Sequence, residues 1–296
     1  MPVKGCKEYQ VLMKGQLRMI ALALFLSASI TDFLPLNRVY ASTPPHSEHN
    51  SPGSVLADQS THQQSAGWTY GGERGPRHWA GLEAGSQCGG QAQSPVNIIR
   101  TDSTPNTSTA WPLRLHYPIS TRLHSVTNNG HSIEFDFDQG DEISFRGTRY
   151  GLRQLHFHEP SEHTLNGVRY PIEMHMVHYN KSHDRYVVLS VLGFEGTPSS
   201  GYDELEAYLP LEEGSTRTID KPFDLAAVLP TTLTPRFHYQ GSLTTPPCTE
   251  NVDWIVFEQP FMLSESQVKR LRDNMPINNY RDVQPLNGRG ISLVIH

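Results

Sequence analysis

The sequence predicts a mainly β protein of α+β type, folded as a single domain with few and short helices, on three observations. Residues 131–138 and 143–145 alternate between apolar and polar side chains, which is the pattern of strands with one buried face. Residues 186–194 and 254–257 are short and nearly unbroken apolar runs, as expected of strands buried on both faces. The chain after Gly67 shows no internal repeat and no sign of a second domain.

Two short helices are predicted in the C-terminal part. Asp224 precedes a short apolar stretch ending at Leu229, which is long enough for one or two turns. Ser264 and Gln267 have the spacing of a capping box at the start of a helix. The apolar stripe that follows has helical spacing and consists of Val268, Leu271 and Met275.

Length and charge limit the functional classes. The chain has 296 residues and a formal net charge of −6, which suits one large domain with a substantial core. No run of Lys or Arg marks a nucleic-acid-binding surface. Several of the 15 histidines lie in the N-terminal tail, where a solvent-exposed polar segment accounts for them without a bound metal.

The first 41 residues are predicted to be a secretory signal peptide. A basic segment precedes the apolar run Met19–Ile30, which is too short to span a bilayer as a helix. Val39-Tyr40-Ala41 offers a cleavage site, and an uncleaved interfacial anchor is the alternative. We expect an exported protein, periplasmic or secreted, with no stable membrane insertion after signal removal.

Residues 42–66 are predicted to be a disordered linker. They are rich in Ser, Pro, His, Gln and Asn and have few large apolar side chains. Such a segment cannot bury enough surface to offset the entropy of ordering. Residues 67–296 are therefore expected to form the folded domain.

Two segments with alternating histidines indicate a metal site. One face of a first strand carries Gln154, His156 and His158. One face of a second strand carries Glu173, His175 and Val177. Turn residues between the segments, at Pro160 and Asn166-Gly167, favour a hairpin that brings the two faces together.

Three neutral imidazoles from His156, His158 and His175 suit a tetrahedral zinc ion and leave one position open. A metal-binding imidazole usually donates its other N–H to a carboxylate, an amide or a carbonyl. Gln154 and Glu173, each two residues before a histidine, are placed to accept such bonds. For the His-x-His pair taken alone, an ordinary exposed strand is the alternative.

A second motif lies far from these strands. It reads Gly-Ser-Leu-Thr-Thr-Pro-Pro-Cys over residues 241–248 and is followed by Trp254. Together with the histidine strands it resembles the α-class carbonic anhydrases, in particular exported bacterial members. The resemblance runs from about Gly67 to the C-terminus, with further matches in order at Trp68-x-Tyr70, His78-Trp79, Gln93-Ser94-Pro95-Val96, Asn128-Asn129-Gly130-His131, Asn279-Tyr280-Arg281 and Gln284-Pro285-Leu286.

This resemblance implies both an architecture and an activity. The fold would be a large, twisted and mostly antiparallel central sheet with short peripheral helices. The activity would be the reversible hydration of carbon dioxide to bicarbonate and a proton, by attack of a zinc-bound hydroxide. Zinc lowers the pKa of bound water, as carbonic anhydrase itself exemplifies.

The resemblance also implies roles for single residues. The Thr244 hydroxyl would accept the hydrogen of the hydroxide and donate its own to Glu162. Thr245 would help to orient substrate, and Asn279 would lie behind the zinc ligands. An apolar wall for carbon dioxide would be formed by Val177, Val188, Leu243, Val252 and Trp254.

His131 matches the proton-shuttle position of the family, where a histidine passes protons between the site and buffer. A solvated turn residue is the alternative, since His131 follows Asn129-Gly130. Glu134 falls where relatives often carry an amide. Simple alternation puts Glu134 on the face opposite His131, so either a bulge intervenes or one of the two assignments is wrong.

Cys88 and Cys248 occupy positions that resemble disulfide-bonded positions of secreted and bacterial relatives. Removal of Cys6 with the signal leaves this even pair in an oxidising compartment. The alternative is two free buried thiols. A bond between them would hold the Thr244 loop against the N-terminal segment.

Two other functions are compatible with parts of this pattern. A non-catalytic binding module of the same fold would have lost a zinc histidine, and none is missing here. A metallohydrolase would want a general-base carboxylate at the metal, and the chain has no His-Glu-x-x-His. Esterase activity is expected as a side reaction of a zinc hydroxide, and bacterial relatives are often homodimers.

Overall fold

The computed structural model describes residues 67–106, 112–209, 211–276 and 278–295. The predicted signal peptide at 1–41 and the predicted linker at 42–66 lie outside these ranges. Among the described residues no helix is both long enough and apolar enough to cross a membrane.

Strands dominate the described chain, as predicted. They are β1 (Asn97–Ile98), β2 (Thr104–Asn106), β3 (Leu113–His116), β4 (Arg122–Asn128), β5 (Ile133–Phe137), β6 (Glu142–Phe145), β7 (Thr148–His158), β8 (Thr164–Leu165), β9 (Val168–Arg169), β10 (Ile172–Asn180), β11 (Arg185–Glu195), β12 (Thr216–Pro222), β13 (Arg236–Gly241), β14 (Val252–Leu263) and β15 (Ser292–Val294). The alternating and apolar segments of the sequence fall in β5, β6, β11 and β14.

A 12-stranded sheet runs through the domain in the order β12-β4-β5-β7-β10-β11-β14-β13-β15-β2, with β6 pairing both β3 and β7 at its side. The pairings of β11 with β14 and of β15 with β2 are parallel. The remaining pairings of this sheet are antiparallel, which confirms the predicted mostly antiparallel sheet.

The central strand β11 explains why its sequence is apolar throughout. Val187, Leu189 and Val191 pack into one core cluster, whereas Val188 and Leu192 pack into another on the opposite face. Alternate residues of a strand point to opposite faces, so a strand between two cores needs apolar side chains at every position. Both faces of the sheet are therefore covered along β11.

Helices are short and lie beside the sheet. They are α1 (Trp79–Leu82), α2 (Ser200–Glu206) and α3 (Glu265–Arg272), with 3-10 turns at Gly72–Arg74, Arg100–Asp102 and Leu225–Val228. The Ser264–Gln267 capping box is present at the start of α3. Met275 is buried as expected but follows the end of α3 instead of extending its stripe.

The connection between β7 and β10 is more elaborate than a single turn. It contains β8 and β9, which pair antiparallel with each other, and β8 also pairs with β1 in a separate three-stranded sheet. Asn166 and Gly167 form the two-residue turn between β8 and β9, both with positive φ of 53° and 80°. Asn-Gly is the preferred dipeptide for such a turn because both residues tolerate this conformation.

Candidate metal and catalytic site

The register of β7 and β10 brings the predicted histidines together. His156 lies directly opposite His175, and His158 lies opposite Glu173. Opposed residues of an antiparallel pair project from the same face. The three imidazole rings consequently have centroids 4.7 to 5.1 Å apart.

Each of these imidazoles has one nitrogen held by an oxygen acceptor. Nδ1 of His156 donates to Oε1 of Gln154 at 2.7 Å, and Nε2 of His175 donates to Oε1 of Glu173 at 2.7 Å. Nδ1 of His158 donates to the backbone carbonyl of Asn279 at 2.5 Å. Asn279 thus acts on the site through its main chain, while its amide side chain accepts the Glu159 N–H at 2.8 Å.

These acceptors fix the tautomers, because the held nitrogen of a neutral imidazole carries the proton and the other carries a lone pair. Nε2 of His156 and Nε2 of His158 are then two lone-pair atoms facing each other at 3.0 Å. One nitrogen from each of the three histidines lies within 4.8 Å of the others. Converging lone pairs of this kind repel one another unless a cation lies between them, so the donor set fits a metal ion.

Burial favours the neutral form of all three imidazoles. Desolvation lowers the pKa of His158 to about 4 and lowers the pKa of His175. Desolvation and the neighbouring imidazoles hold the pKa of His156 well below its ordinary value. Neutral imidazole is the form that binds metal, so near neutral pH the protein need not release protons from these ligands.

Glu173 is the hydrogen-bond centre behind the ligands. Besides the bond from His175, its carboxylate accepts four hydrogen bonds of 2.6 to 2.8 Å. The donors are the backbone N–H groups of Glu162 and His163, Nδ1–H of His163 and the hydroxyl of Ser190. Burial pushes the pKa of Glu173 upward, but electrostatic interactions and hydrogen bonds with His163 and His175 leave it well below the ordinary value. A carboxylate that is charged near neutral pH therefore orients His175.

Two of these partners, His163 and Ser190, were not predicted from the sequence. His163 also contacts the Tyr239 hydroxyl, with Nε2 and Oη 2.6 Å apart. Ser190 lies opposite His175 in the pairing of β10 with β11. The register of that strand pair would have identified Ser190, but the register is not visible in the sequence.

Glu162 is fully buried beside the histidines. Oε1 accepts the backbone N–H of Arg281 at 2.9 Å, and Oε2 lies 3.5 Å from Nε2 of His158. Burial raises the pKa of Glu162 to about 7, opposed by the nearby His175 imidazole and by the Thr244 side chain. The Thr244 side chain is close enough to affect this pKa, but among the described residues no hydrogen bond of standard geometry reaches Oε2.

The loop that carries Thr244 is held from several sides. Leu243 N–H donates to the Thr249 carbonyl at 3.0 Å, and Cys248 N–H donates to the Thr245 carbonyl at 2.8 Å. Cys248 is joined to Cys88 by a disulfide, as predicted. The loop is thereby fixed to a segment 160 residues earlier in the chain.

Buried Arg281 reinforces this attachment. Its guanidinium donates to Oε1 of Gln93 at 2.7 Å, to the Ser94 carbonyl at 2.9 Å and to the Cys88 carbonyl at 2.8 Å. Gln93 in turn donates to the Cys248 carbonyl at 3.3 Å. The Gln93-Ser94 and Asn279-Tyr280-Arg281 motifs therefore meet behind the Thr244 loop.

A cavity of about 440 Å³ opens over the histidines. His156 and His175 form part of its lining, along with Thr244 and Thr245. The predicted wall residues that line it are Val177, Val188, Leu243 and Trp254. Val252 is absent from this lining and packs behind the wall, in the same buried cluster as Val188 and Trp254.

His131 does not line this cavity in the structure. Its ring stacks on Trp68, with centroids 3.7 Å apart and an angle of 14° between the planes. Partial burial lowers the pKa of His131, opposed by the charge of Glu213. The position beside Trp68 is therefore outside the histidine cluster.

Glu134 lies on the same face as the zinc-ligand candidates, because it is directly opposite His156 in the pairing of β5 with β7. It accepts a 2.7 Å hydrogen bond from the amide of Asn129. His131 lies in the bend just before β5, so the alternation of the strand does not decide the direction of its side chain.

Comparison with known proteins places the described domain among carbonic anhydrases. Residues 74–295 match the family described as eukaryotic-type carbonic anhydrase. A carbonic anhydrase of Klebsiella pneumoniae is 40% identical over 229 residues, which cover 75% of this chain and 89% of the relative. Human carbonic anhydrase 7 is 34% identical over 257 residues, which cover 75% and 95% of the two chains.

A solved structure gives the same result for the fold. The α-carbonic anhydrase of Thermovibrio ammonificans, solved in complex with the inhibitor sulfanilamide, superposes with a TM-score of 0.72 at 37% identity. The superposition covers 77% of this chain and 99% of that one.

Proposed function

The chain belongs to the eukaryotic-type, or α-class, carbonic anhydrase family and is a carbonic anhydrase, and from that premise we propose how its own residues hydrate carbon dioxide. The metal would be zinc, held by His156, His158 and His175. The observation that carries this proposal is the convergence of three imidazole lone pairs, each fixed by an acceptor on its other nitrogen.

Zinc supplies the Lewis acidity that makes hydroxide available near neutral pH. Three neutral ligands suit this task, because they leave the charge of the cation uncancelled. A cation at the three histidines would also favour the carboxylate form of Glu162, whose pKa of about 7 is raised by burial. Glu162 and Glu173 would then both be charged on the protein side of the site.

Thr244 and Glu162 would orient the attacking oxygen. An ionised Glu162 can only accept hydrogen bonds, so the Thr244 hydroxyl must donate to it. The Thr244 oxygen is then left as an acceptor, which favours a nucleophile that carries a proton and disfavours anions that carry none. Thr245, on the same cavity wall, would position substrate.

The apolar part of the cavity would hold carbon dioxide before attack. Val177, Val188, Leu243 and Trp254 present apolar surface next to two of the histidines. Carbon dioxide has no charge and needs no hydrogen-bond donor, so dispersion contacts with such a wall suit it. Val252 would support the wall from behind.

His131 would carry the proton from the site to buffer. Its ring is partly exposed, and a near-neutral histidine can both accept and release a proton in this pH range. It would act through water, because its ring stacks on Trp68 outside the cavity lining. Esterase activity toward activated esters is expected at the same site.

Export is a further part of the proposal. The Cys88–Cys248 disulfide is compatible with an oxidising compartment, where such bonds persist. The predicted signal peptide at 1–41 would direct the chain there, as a periplasmic or secreted protein. Intact-mass measurement of protein recovered from that compartment should match a chain that starts near Ser42, and a mass that includes residues 1–41 would contradict this.

The decisive experiment combines metal analysis with stopped-flow carbon dioxide hydration. Purified protein should contain about one zinc per chain and be active, and His158→Ala should lose both. His183→Ala, at an exposed turn, is the matched control and should keep both. A folded wild-type protein without zinc or activity would favour the alternative, a non-catalytic binding module.

A further inference from the structure

The cavity mouth carries a charged side chain that has no part in the chemistry above. Arg153 lines the cavity and is exposed to solvent. No Asp or Glu belongs to the described lining, in which Arg153 is the one permanently charged side chain. Its guanidinium also forms no ion pair within the described part of the chain.

A β-bulge explains how Arg153 reaches the cavity. Val177 of β10 pairs with Gln154 of β7, and the next residue, His178, pairs with Leu152. Arg153 is therefore the extra residue of β7 at this point. Simple alternation would point it away from Gln154, but a bulge interrupts the alternation and redirects a side chain.

Two tyrosines support the guanidinium at the mouth. Cζ of Arg153 lies 5.3 Å from the centroid of the Tyr179 ring, and that ring packs on Tyr186 with centroids 4.5 Å apart. The Tyr179 hydroxyl donates to Oδ1 of Asp184 at 2.9 Å, which fixes the ring. A contact with a ring face uses none of the guanidinium N–H groups, so these remain available to a ligand.

We propose that Arg153 binds bicarbonate at the cavity mouth. This inference rests on the proposed function and identifies the residue that recognises the anionic reactant. A guanidinium presents its donors in a planar fork that matches two oxygens of a carboxylate-shaped anion. Bicarbonate has this shape and a negative charge. Carbon dioxide has no charge, so Arg153 distinguishes the two sides of the reaction.

Steady-state kinetics in both directions test the inference. Arg153→Gln should raise the KM for bicarbonate in dehydration about tenfold, the effect of losing one charge-assisted contact. Arg153→Lys should give an intermediate KM, because the charge remains and the fork is lost. The KM for carbon dioxide should not change, and Arg114→Gln, at an exposed arginine outside the cavity, should behave as wild type.

The reaction equilibrium adds a constraint, because it fixes the ratio of kcat/KM in the two directions for every variant. The assays use buffer at a concentration high enough that proton transfer does not limit turnover. If Arg153 stabilises bound bicarbonate alone, kcat/KM then stays constant and kcat for dehydration rises by the same factor as KM. A fall in kcat/KM in both directions would overturn the inference, because Arg153 would then act on the transition state or on the rate of encounter.

Binding of an unreactive anion separates this inference from the proposed function. Acetate, titrated into the protein as purified and followed by the line width of its ¹³C carboxyl signal, should bind about tenfold more weakly to Arg153→Gln than to wild type or Arg114→Gln. An inactive wild type with Arg153-dependent binding would contradict the proposed function alone. If the wild type is active, and Arg153→Gln changes neither the KM for bicarbonate nor the affinity for acetate, the inference is overturned.

Discussion

Nε2 of His175 donates a hydrogen bond to Oε1 of Glu173 at 2.7 Å. The lone pair of His175 is therefore on Nδ1, whereas those of His156 and His158 are on Nε2. The carboxylate of Glu173 consequently determines which nitrogen of His175 carries the lone pair that the proposed zinc site would use.

Glu173→Gln should lower zinc affinity by about 10- to 100-fold, because the amide places a donor among groups that already donate and weakens the orientation of His175. Competition with a chelator of known affinity measures the change. Glu265→Gln, on the exposed surface of α3, is the control and should leave the affinity unchanged. Equal zinc affinity in folded Glu173→Gln and wild type would contradict the role of this carboxylate.

His131→Ala should lower kcat and leave kcat/KM for hydration nearly unchanged, since proton export limits turnover only at saturating substrate. Added imidazole should restore part of the lost kcat. Thr244→Ala should lower kcat/KM as well, because it disturbs the attacking oxygen. The same pattern in both variants, or no rescue of His131→Ala by imidazole, would show that protons leave by another path.

His178 should contribute to acid unfolding. It is fully buried with Nε2 2.8 Å from the Tyr117 hydroxyl, and burial lowers its pKa to about 3. Since its unfolded pKa is about 6.5, the unfolded chain binds the extra proton between pH 3 and 6.5. The stability contributed by neutral His178 is therefore present above about pH 6.5 and is lost as the pH falls toward 3.

The measurement is urea unfolding at several pH values. His178→Gln keeps an acceptor for Tyr117 and removes the titration, so the slope of the unfolding free energy against pH should fall by about 1.4 kcal/mol per pH unit between pH 4 and 6. The same substitution at exposed His183 serves as the control. An unchanged slope in His178→Gln would mean that this histidine does not link folding to pH.

Removal of the disulfide should destabilise the domain. Cys88→Ala with Cys248→Ala frees the Thr244 loop from the N-terminal segment and should lower the free energy of unfolding by about 2 to 5 kcal/mol. Chemical denaturation measures this free energy. Wild-type protein in reductant, which also lacks the disulfide, should be destabilised to a similar extent. Unfolding midpoints that match oxidised wild type would argue against a stabilising role.

The strand pattern and the convergence of the three histidines could be predicted from the sequence because period-two alternation holds at Gln154, His156 and His158 in β7. The same rule fails one residue earlier. Arg153 occupies a bulge, and an interruption of pairing depends on the partner strand, which the sequence of β7 does not contain.

Other differences have a similar cause. Val252 and Trp254 share a face of β14, but only Trp254 reaches the cavity, since depth along a strand depends on tertiary packing. His131 has a near neighbour, Trp68, whose position depends on how the N-terminal segment folds back. The Thr244 loop and the disulfide were expected only through the family resemblance, because no local rule pairs Cys88 with Cys248.

The hydrogen bond from His158 to the Asn279 carbonyl has a consequence for folding kinetics. The three histidines come from two neighbouring strands, a pairing of low sequence separation that forms quickly, whereas Asn279 lies 121 residues after His158. Contacts between distant residues form late, because a long loop must first be closed. A nascent chain can therefore assemble the three imidazoles before the C-terminal segment has arrived to orient one of them. The rate at which zinc dissociates should therefore be high early in refolding and should fall when the C-terminal segment docks.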